Sequence, residues 1–306
     1  MAGRALGYRL LGRRLDYLLH LRPAEWPIIV VHTAVGAVLA TGFAGLRSTP
    51  WPQLLVGLAV WVVCLNGATL AINSAFDHDV GDVAYLRQPP PPPRYLFVFG
   101  AALMAFGAGV AWSLPSGFRL AYGLCVVMSL LYSVPPVRLK ATAGLDWLIN
   151  MWGFGVLTPY AGWALTGLPV SPVGRIVLLG FCPLFAGLYP LTQLYQLEED
   201  RARGDATMAS VLGVRWSLAV SVACVVIAFG LFRHAGLVSG WSAAGQGGHP
   251  WIPLAIAAGC WALVLGPWLI RGEQLSSAAH QRGMYLALAA WAVTDAAILY
   301  GFGRSW

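Results

Sequence analysis

Charge is scarce in this chain. Only 10% of its 306 residues are Asp, Glu, Lys or Arg, while 58% are hydrophobic and the mean hydropathy is +0.68. Soluble globular domains carry about 25% charged residues, so the composition excludes an ordinary soluble domain and points to the membrane. Period-two alternation is also missing: the apolar runs are continuous, which argues against a membrane β-barrel. The five cysteines (Cys64, Cys125, Cys182, Cys224 and Cys260) each lie in an apolar run. None sits in a CxxC or Cys/His spacing, so neither a disulfide framework nor a zinc site is expected; they read as small buried apolar residues. The net charge of +7 is spread over loops instead of along one face, which is not the footprint of a nucleic-acid binder.

What is present is long apolar runs. At roughly 20 residues per span, the chain has room for about ten spans and no separate soluble domain. The expectation is one all-α, polytopic integral-membrane domain over residues 1–306. Residues 1–24 mix Arg4, Arg9, Arg13, Arg14 and Arg22 with leucines. They lack the apolar h-region and small-residue cleavage pattern of a signal peptide. They read either as a basic amphipathic helix on an anionic membrane surface or as a simple topogenic flank, and both place the N-terminus in the cytoplasm. Nine apolar runs of spanning length follow, roughly 26–45, 54–76, 95–114, 117–135, 144–166, 174–197, 214–235, 251–270 and 283–303. With the N-terminus inside, 14 of the 19 Lys and Arg fall on the cytoplasmic segments and their flanks, which supports nine spans with the N-terminus in and the C-terminus out; the nine helices are expected to bundle around a central cavity. The run Pro89–Pro93 favours a stiff polyproline II segment that directs the chain into the third span.

Acids are scarcer still, 12 in all, yet seven of them fall in two short stretches. Asn73-x3-Asp77-x3-Gly81-Asp82 and Gln196-x3-Asp200-x3-Gly204-Asp205 have identical spacing, and each sits at the cytoplasmic end of an even-numbered run. Such a repeat suggests two related halves presenting equivalent groups to one site. An amide and an aspartate at i and i+4 share a helix face, and Gly81 and Gly204 can break each helix so that Asp82 and Asp205 turn back. Clustered carboxylates repel one another without cations. A hard divalent ion with oxygen ligands resolves this, and Mg2+ typically uses one or two carboxylates, waters and substrate phosphates. The spacing therefore points to a Mg2+–diphosphate site at the mouth of an apolar cavity. Between the clusters lies Tyr132-Ser133-Val134-Pro135-Pro136-Val137-Arg138-Leu139-Lys140. Arg138 and Lys140 could hold the other diphosphate oxygens; Arg201, Arg203, Arg87 and Arg94 are further candidates.

These stretches resemble the UbiA-type intramembrane prenyltransferase superfamily. Asn73 and Asp77 match its first motif, Asn-Asp-x-x-Asp-x-x-x-Asp, with Ser74 in place of an Asp and Gly81-Asp82 in place of the last Asp. Tyr132–Lys140 matches its Tyr-Ser-x-Pro-Pro-x-Arg-Leu-Lys stretch in full. Glu198, Asp200, Gly204 and Thr207 match its second motif, with Gln196 replacing an Asp. The resemblance implies nine transmembrane helices, a prenyl diphosphate donor bound through Mg2+, and an aromatic or other lipophilic acceptor within the membrane. It implies Asp77 and Asp200 as catalytic, with Asn73, Asp77, Asp82, Gln196, Glu198, Asp200 and Asp205 around the metal. Arg138, Lys140, Arg201, Tyr132 and Asn150 are implied on the diphosphate or acceptor, while Asp79 and Glu199 point away. A terpene cyclase of the same superfamily would carry the same motifs. A secondary transporter would instead place its ionisable groups near the bilayer midplane. Asp295 is the acid assigned to a span interior and is an intramembrane candidate outside the expected site.

Overall fold

The computed structural model describes residues 2–77, 82–83, 86–241 and 249–303, and these form helices with no strand among them. Two short helices, α1 (Ala2–Leu11) and α2 (Leu15–His20), open the chain. Leu6, Leu10, Leu11 and Leu18 are exposed on them, as a segment lying on an apolar surface requires. Then follow α3 (Trp26–Gly45), α4 (Trp51–Asp77), α5 (Leu96–Ala111) and α6 (Ser116–Ser133). α7 covers 145–165, α8 is Pro172–Gln193, α9 Leu197–Arg203, α10 Met208–Val238, α11 Trp251–Arg271 and α12 Ser277–Phe302. Seven helices among the described residues are long and apolar enough to cross a membrane. The two remaining apolar runs are also helical: α5 is shorter, at 16 residues, and α7 changes winding partway.

The chain forms two compact units, Met1–Val31 with Trp51–Arg138, and His32–Pro50 with Leu139–Trp306. In the first, Ala68, Ile72 and Met104 pack with Phe76, Val126 and Leu130, and Leu21, Ala71 and Leu96 with Tyr17 and Phe99. Polar pairs stitch α4 to α6 within this apolar packing: Thr69 Oγ1 lies 2.8 Å from Ser129 Oγ, and Ser133 Oγ donates to Asn73 Oδ1 at 3.4 Å. The proline run is held from the N-terminal segment. Arg4 donates to the carbonyls of Arg87 and Gln88, and His20 Nε2 lies 3.1 Å from the Pro90 carbonyl oxygen. Between α2 and α3 the chain turns through Arg22 (φ 49°). Loss of water around the adjacent Glu25 pushes its carboxyl up to about 7, against the pull of the Arg22 guanidinium.

In the second unit, Phe181, Phe232, Trp261, Trp291 and Phe302 form the bulk of the core. α3 and α7 meet at backbone contact: a Cβ at Gly162 would lie 1.7 Å from the Thr33 carbonyl oxygen, so no side chain fits there. Small residues serve membrane helices in this way. Each unit contains one π-helical stretch, Val60–Gly67 in α4 and Met151–Leu157 in α7. In the second stretch the Phe154 carbonyl meets His32 Nε2 at 3.2 Å. His32 Nδ1 lies 3.3 Å from both oxygens of Asp295. Both residues are buried, with the Phe181 and Trp291 rings each 4.9 Å from the imidazole. The intramembrane acid singled out from the sequence is therefore half of a buried His–Asp hydrogen-bonded pair.

Candidate metal–diphosphate site

The first acidic cluster begins on regular helix. Asn73 and Asp77 both lie in Ala68–Asp77, the last part of α4, so they share a face as their spacing requires. Asp77 is buried, and its Oδ1 receives Arg138 Nη2 at 3.3 Å. Arg138 sits at φ 38°, a left-handed conformation that a non-glycine residue adopts only where its surroundings hold it. The Asp77–Arg138 pair thus joins the first motif to the Tyr132–Lys140 stretch. Asp82 has a different neighbour: it is exposed, and its Oδ1 accepts the Gln88 backbone N–H at 2.9 Å. Asp79 and Gly81 lie outside the described residues.

The second cluster is not a straight continuation of α8. A 3-10 turn, Leu194–Gln196, intervenes, and Gln196 takes a non-helical φ, ψ of −107°, 8° before α9 starts. Gln196 is therefore half-buried at a break, not one turn below Asp200 on one helix. α9 ends in a Schellman motif: the Gly204 N–H donates to the Arg201 carbonyl and the Asp205 N–H to that of Asp200. Gly204 takes φ 75°, which glycine adopts without Cβ strain, and so Asp205 turns back. Asp200 and Asp205 are both buried, and one guanidinium joins them. Arg203 Nη2 is 2.6 Å from Asp200 Oδ1, and its Nε is 3.2 Å from Asp205 Oδ2. Thr207 Oγ1 donates to the other Asp200 oxygen at 3.1 Å. Glu198 and Arg201 are exposed; Arg203, not Arg201, grips the acids.

Lys140 is buried in the 3-10 turn Leu139–Ala141, and Tyr132 is half-buried. Asn150 spends its amide on its own helix, donating to the Asp146 carbonyl at 2.8 Å. Asp146, which is not among the residues expected from the sequence, is fully buried and receives the backbone N–H of Gly144 and Met208 and the amide of Gln193. Its signal was present: an isolated acid in the fifth apolar run.

Two carboxylates converging on one guanidinium, with the Thr207 hydroxyl on the Asp200 carboxylate, offer oxygen ligands of the kind that a hard divalent ion takes. Among the described residues no three Asp, Glu, His or Cys side chains converge, so substrate oxygens and water would complete any Mg2+ shell held here.

The UbiA prenyltransferase family profile matches residues 30–289. The chain belongs to the UbiA prenyltransferase family. As a UbiA family member it is an enzyme, a prenyltransferase. It is 31% identical over 240 residues to the lycopene elongase/hydratase of Haloferax volcanii, covering 72% of this chain and 73% of that protein. It is 27% identical over 212 residues to the digeranylgeranylglyceryl phosphate synthase of Natronomonas pharaonis, covering 68% and 73%. The fold is that of a UbiA homolog from Archaeoglobus fulgidus solved with DMAPP and Mg2+, with a TM-score of 0.66 at 21% identity over 91% of this chain and 99% of that one.

Proposed function

We propose that this UbiA member transfers a short prenyl group from its diphosphate to a lipophilic acceptor within the membrane, with Mg2+ as cofactor. The observation that carries the reading is the pairing of each key aspartate with an arginine, Asp77 with Arg138 and Asp200 with Arg203. Each motif thus couples a metal-binding oxygen to a cation that can take a phosphate oxygen. Asn73, Asp77, Asp200 and Asp205 are the groups that would hold the metal, with Gln196, Glu198 and Asp82 farther out. Mg2+, when bound, neutralises charge building on the departing diphosphate. Arg138, Lys140 and Arg203 would bind and orient the remaining phosphate oxygens, and Arg201, Tyr132 and Asn150 would help to orient the diphosphate or the acceptor. The C–O bond breaks with its electron pair going to diphosphate, an acceptor carbon attacks the allylic cation, and a proton leaves. Apolar walls exclude water, and aromatic faces stabilise the cation.

The whole chain would work as one nine-span integral-membrane enzyme surrounded by lipid, with its N-terminus and acidic motifs towards the cytoplasm and a central cavity for the isoprenoid. The relative named lycopene elongase/hydratase makes lycopene the first acceptor to test. Purified protein in lipid vesicles, given DMAPP or GPP and Mg2+, should release diphosphate and form a prenylated product only when an acceptor is supplied. A cyclic hydrocarbon or alcohol formed without acceptor would overturn transfer in favour of cyclisation, and failure with polyene and aromatic acceptors alike would overturn the acceptor reading.

A further inference from the structure

The first amides of a helix have no partner within the helix. In α10, which follows the second acidic cluster, three of them are met by side chains. The Ser210 N–H donates to Thr207 Oγ1 at 3.3 Å, an ordinary N-cap. The other two reach farther. The Met208 N–H donates to Asp146 Oδ2 at 2.8 Å, and the Ala209 N–H donates to Gln193 Oε1 at 3.0 Å. Gln193 Nε2 donates back to the same Asp146 oxygen at 2.9 Å. Asp146 Oδ1 accepts the Gly144 N–H at 3.0 Å, which fixes the carboxylate to the start of its own helix. One buried carboxylate therefore ties together the start of α7, the end of α8 and the start of α10. Its charge also complements the positive N-terminal ends of α7 and α10.

The consequence reaches the candidate site through one residue. Thr207 precedes Met208, and its hydroxyl accepts from Ser210 N and donates to Asp200 Oδ2. Where the start of α10 is held, Thr207 is held, and with it the orientation of the Asp200 carboxylate. The neighbouring residue Ala206 forms a parallel bridge to Thr142, two residues beyond Lys140. The Lys140 turn and the Asp200–Asp205 turn are thus fastened at two places, by backbone at Thr142 and by side chain at Asp146.

We infer that Asp146 is the positioning residue of the second metal motif, setting the Asp200 carboxylate and the Lys140 turn in the arrangement that accepts Mg2+–diphosphate. It touches neither metal nor phosphate and acts through Met208, Thr207 and Gln193. The inference rests on the metal–diphosphate reading proposed above. It sets Asp146 apart from a core acid whose loss would lower stability alone.

The test is binding, not turnover. Full-length protein in detergent is titrated with Mg2+ at fixed inorganic pyrophosphate, and the rise in melting temperature is followed. Asp146→Asn keeps the shape but sets an N–H against one of the backbone donors. It should raise the Mg2+ concentration for half the response at least tenfold. Thr294→Val removes the acceptor of the buried Trp261 indole in the same unit. It should lower the melting temperature without moving that half-point. An Asp146→Asn half-point equal to the unmodified protein's would overturn the positioning role while leaving the metal–diphosphate reading intact. A half-point moved equally by Thr294→Val would overturn it too. No response in the unmodified protein would overturn the metal–diphosphate reading itself and the inference with it. If Asp146→Asn does not fold, Gln193→Leu carries the same test, since it strips the amide from Asp146 Oδ2 and from Ala209 N. An unmoved half-point there overturns the positioning role.

Discussion

The His32–Asp295 pair sets a quantitative expectation for stability. Both side chains are 4% exposed. The Phe154 carbonyl can only accept, so His32 Nε2 carries a proton, and the imidazole is the carboxylate's one hydrogen-bond partner among the described residues. His32→Leu leaves Asp295 buried among aromatic rings with no donor. Removing one partner of a buried pair costs about 3–5 kcal/mol. Asp295→Leu is milder, because the remaining imidazole can be neutral and keep its bond to Phe154; about 1–3 kcal/mol is the usual cost of one unmet buried group. With both replaced, no charge is left uncompensated, and the double variant should lose no more than Asp295→Leu alone. Reversible unfolding in mixed micelles, followed by tryptophan fluorescence, measures all three. Two outcomes would refute the reasoning: single variants within about 1 kcal/mol of the parent, or a double variant that loses the sum of the two singles.

Two further expectations concern other parts of the chain. Gly204→Ala forces a Cβ into φ 75° and should cost about 1 kcal/mol while weakening Mg2+ binding, because Asp205 no longer turns back cleanly; Gly204→Asn should recover part of both, as read by melting temperature and Mg2+ titration. At the α2–α3 turn, the folded chain keeps a proton on Glu25 up to about 7 that the unfolded chain surrenders near 4.5. This contribution is full below pH 4.5 and is lost as pH rises towards 7. The melting temperature of Glu25→Gln, relative to the parent, should climb across that window and level off above it.

Helices were the most legible feature of the sequence. All nine apolar runs are helical, because a long uninterrupted stretch of apolar residues satisfies its backbone internally only as helix. The Gly204 turn was legible too, since glycine is the residue that ends a helix without Cβ strain and it stands directly before Asp205. Details that depend on winding were hidden. The π-helical stretches of α4 and α7 have no compositional mark, and neither does the 3-10 turn that takes Gln196 out of line with Asp200. Periodicity counted along a regular helix carries through Asn73–Asp77 but stops at such breaks. The choice of Arg203 over Arg201 followed from the same cause: both are basic neighbours in sequence, and only the fold of α9 decides which reaches Asp200 and Asp205. Asp146 was hidden for a different reason. Its place as an acid inside an apolar run was visible, but its partners were not: besides the Gln193 amide they include the backbone N–H groups of Gly144 and Met208, and backbone groups leave no trace in residue identity. Asp82, expected beside Asp77, instead holds the Gln88 amide, a bond to backbone that spacing alone does not reveal.

The most direct test of the metal–diphosphate assignment is turnover of DMAPP or GPP by Asp77→Ala and Asp200→Ala in vesicles containing Mg2+ and a lipophilic acceptor. Each variant should remain folded and membrane-inserted and lose diphosphate release by at least about a thousandfold, roughly 4 kcal/mol of transition-state stabilisation. Full activity in both variants would contradict it.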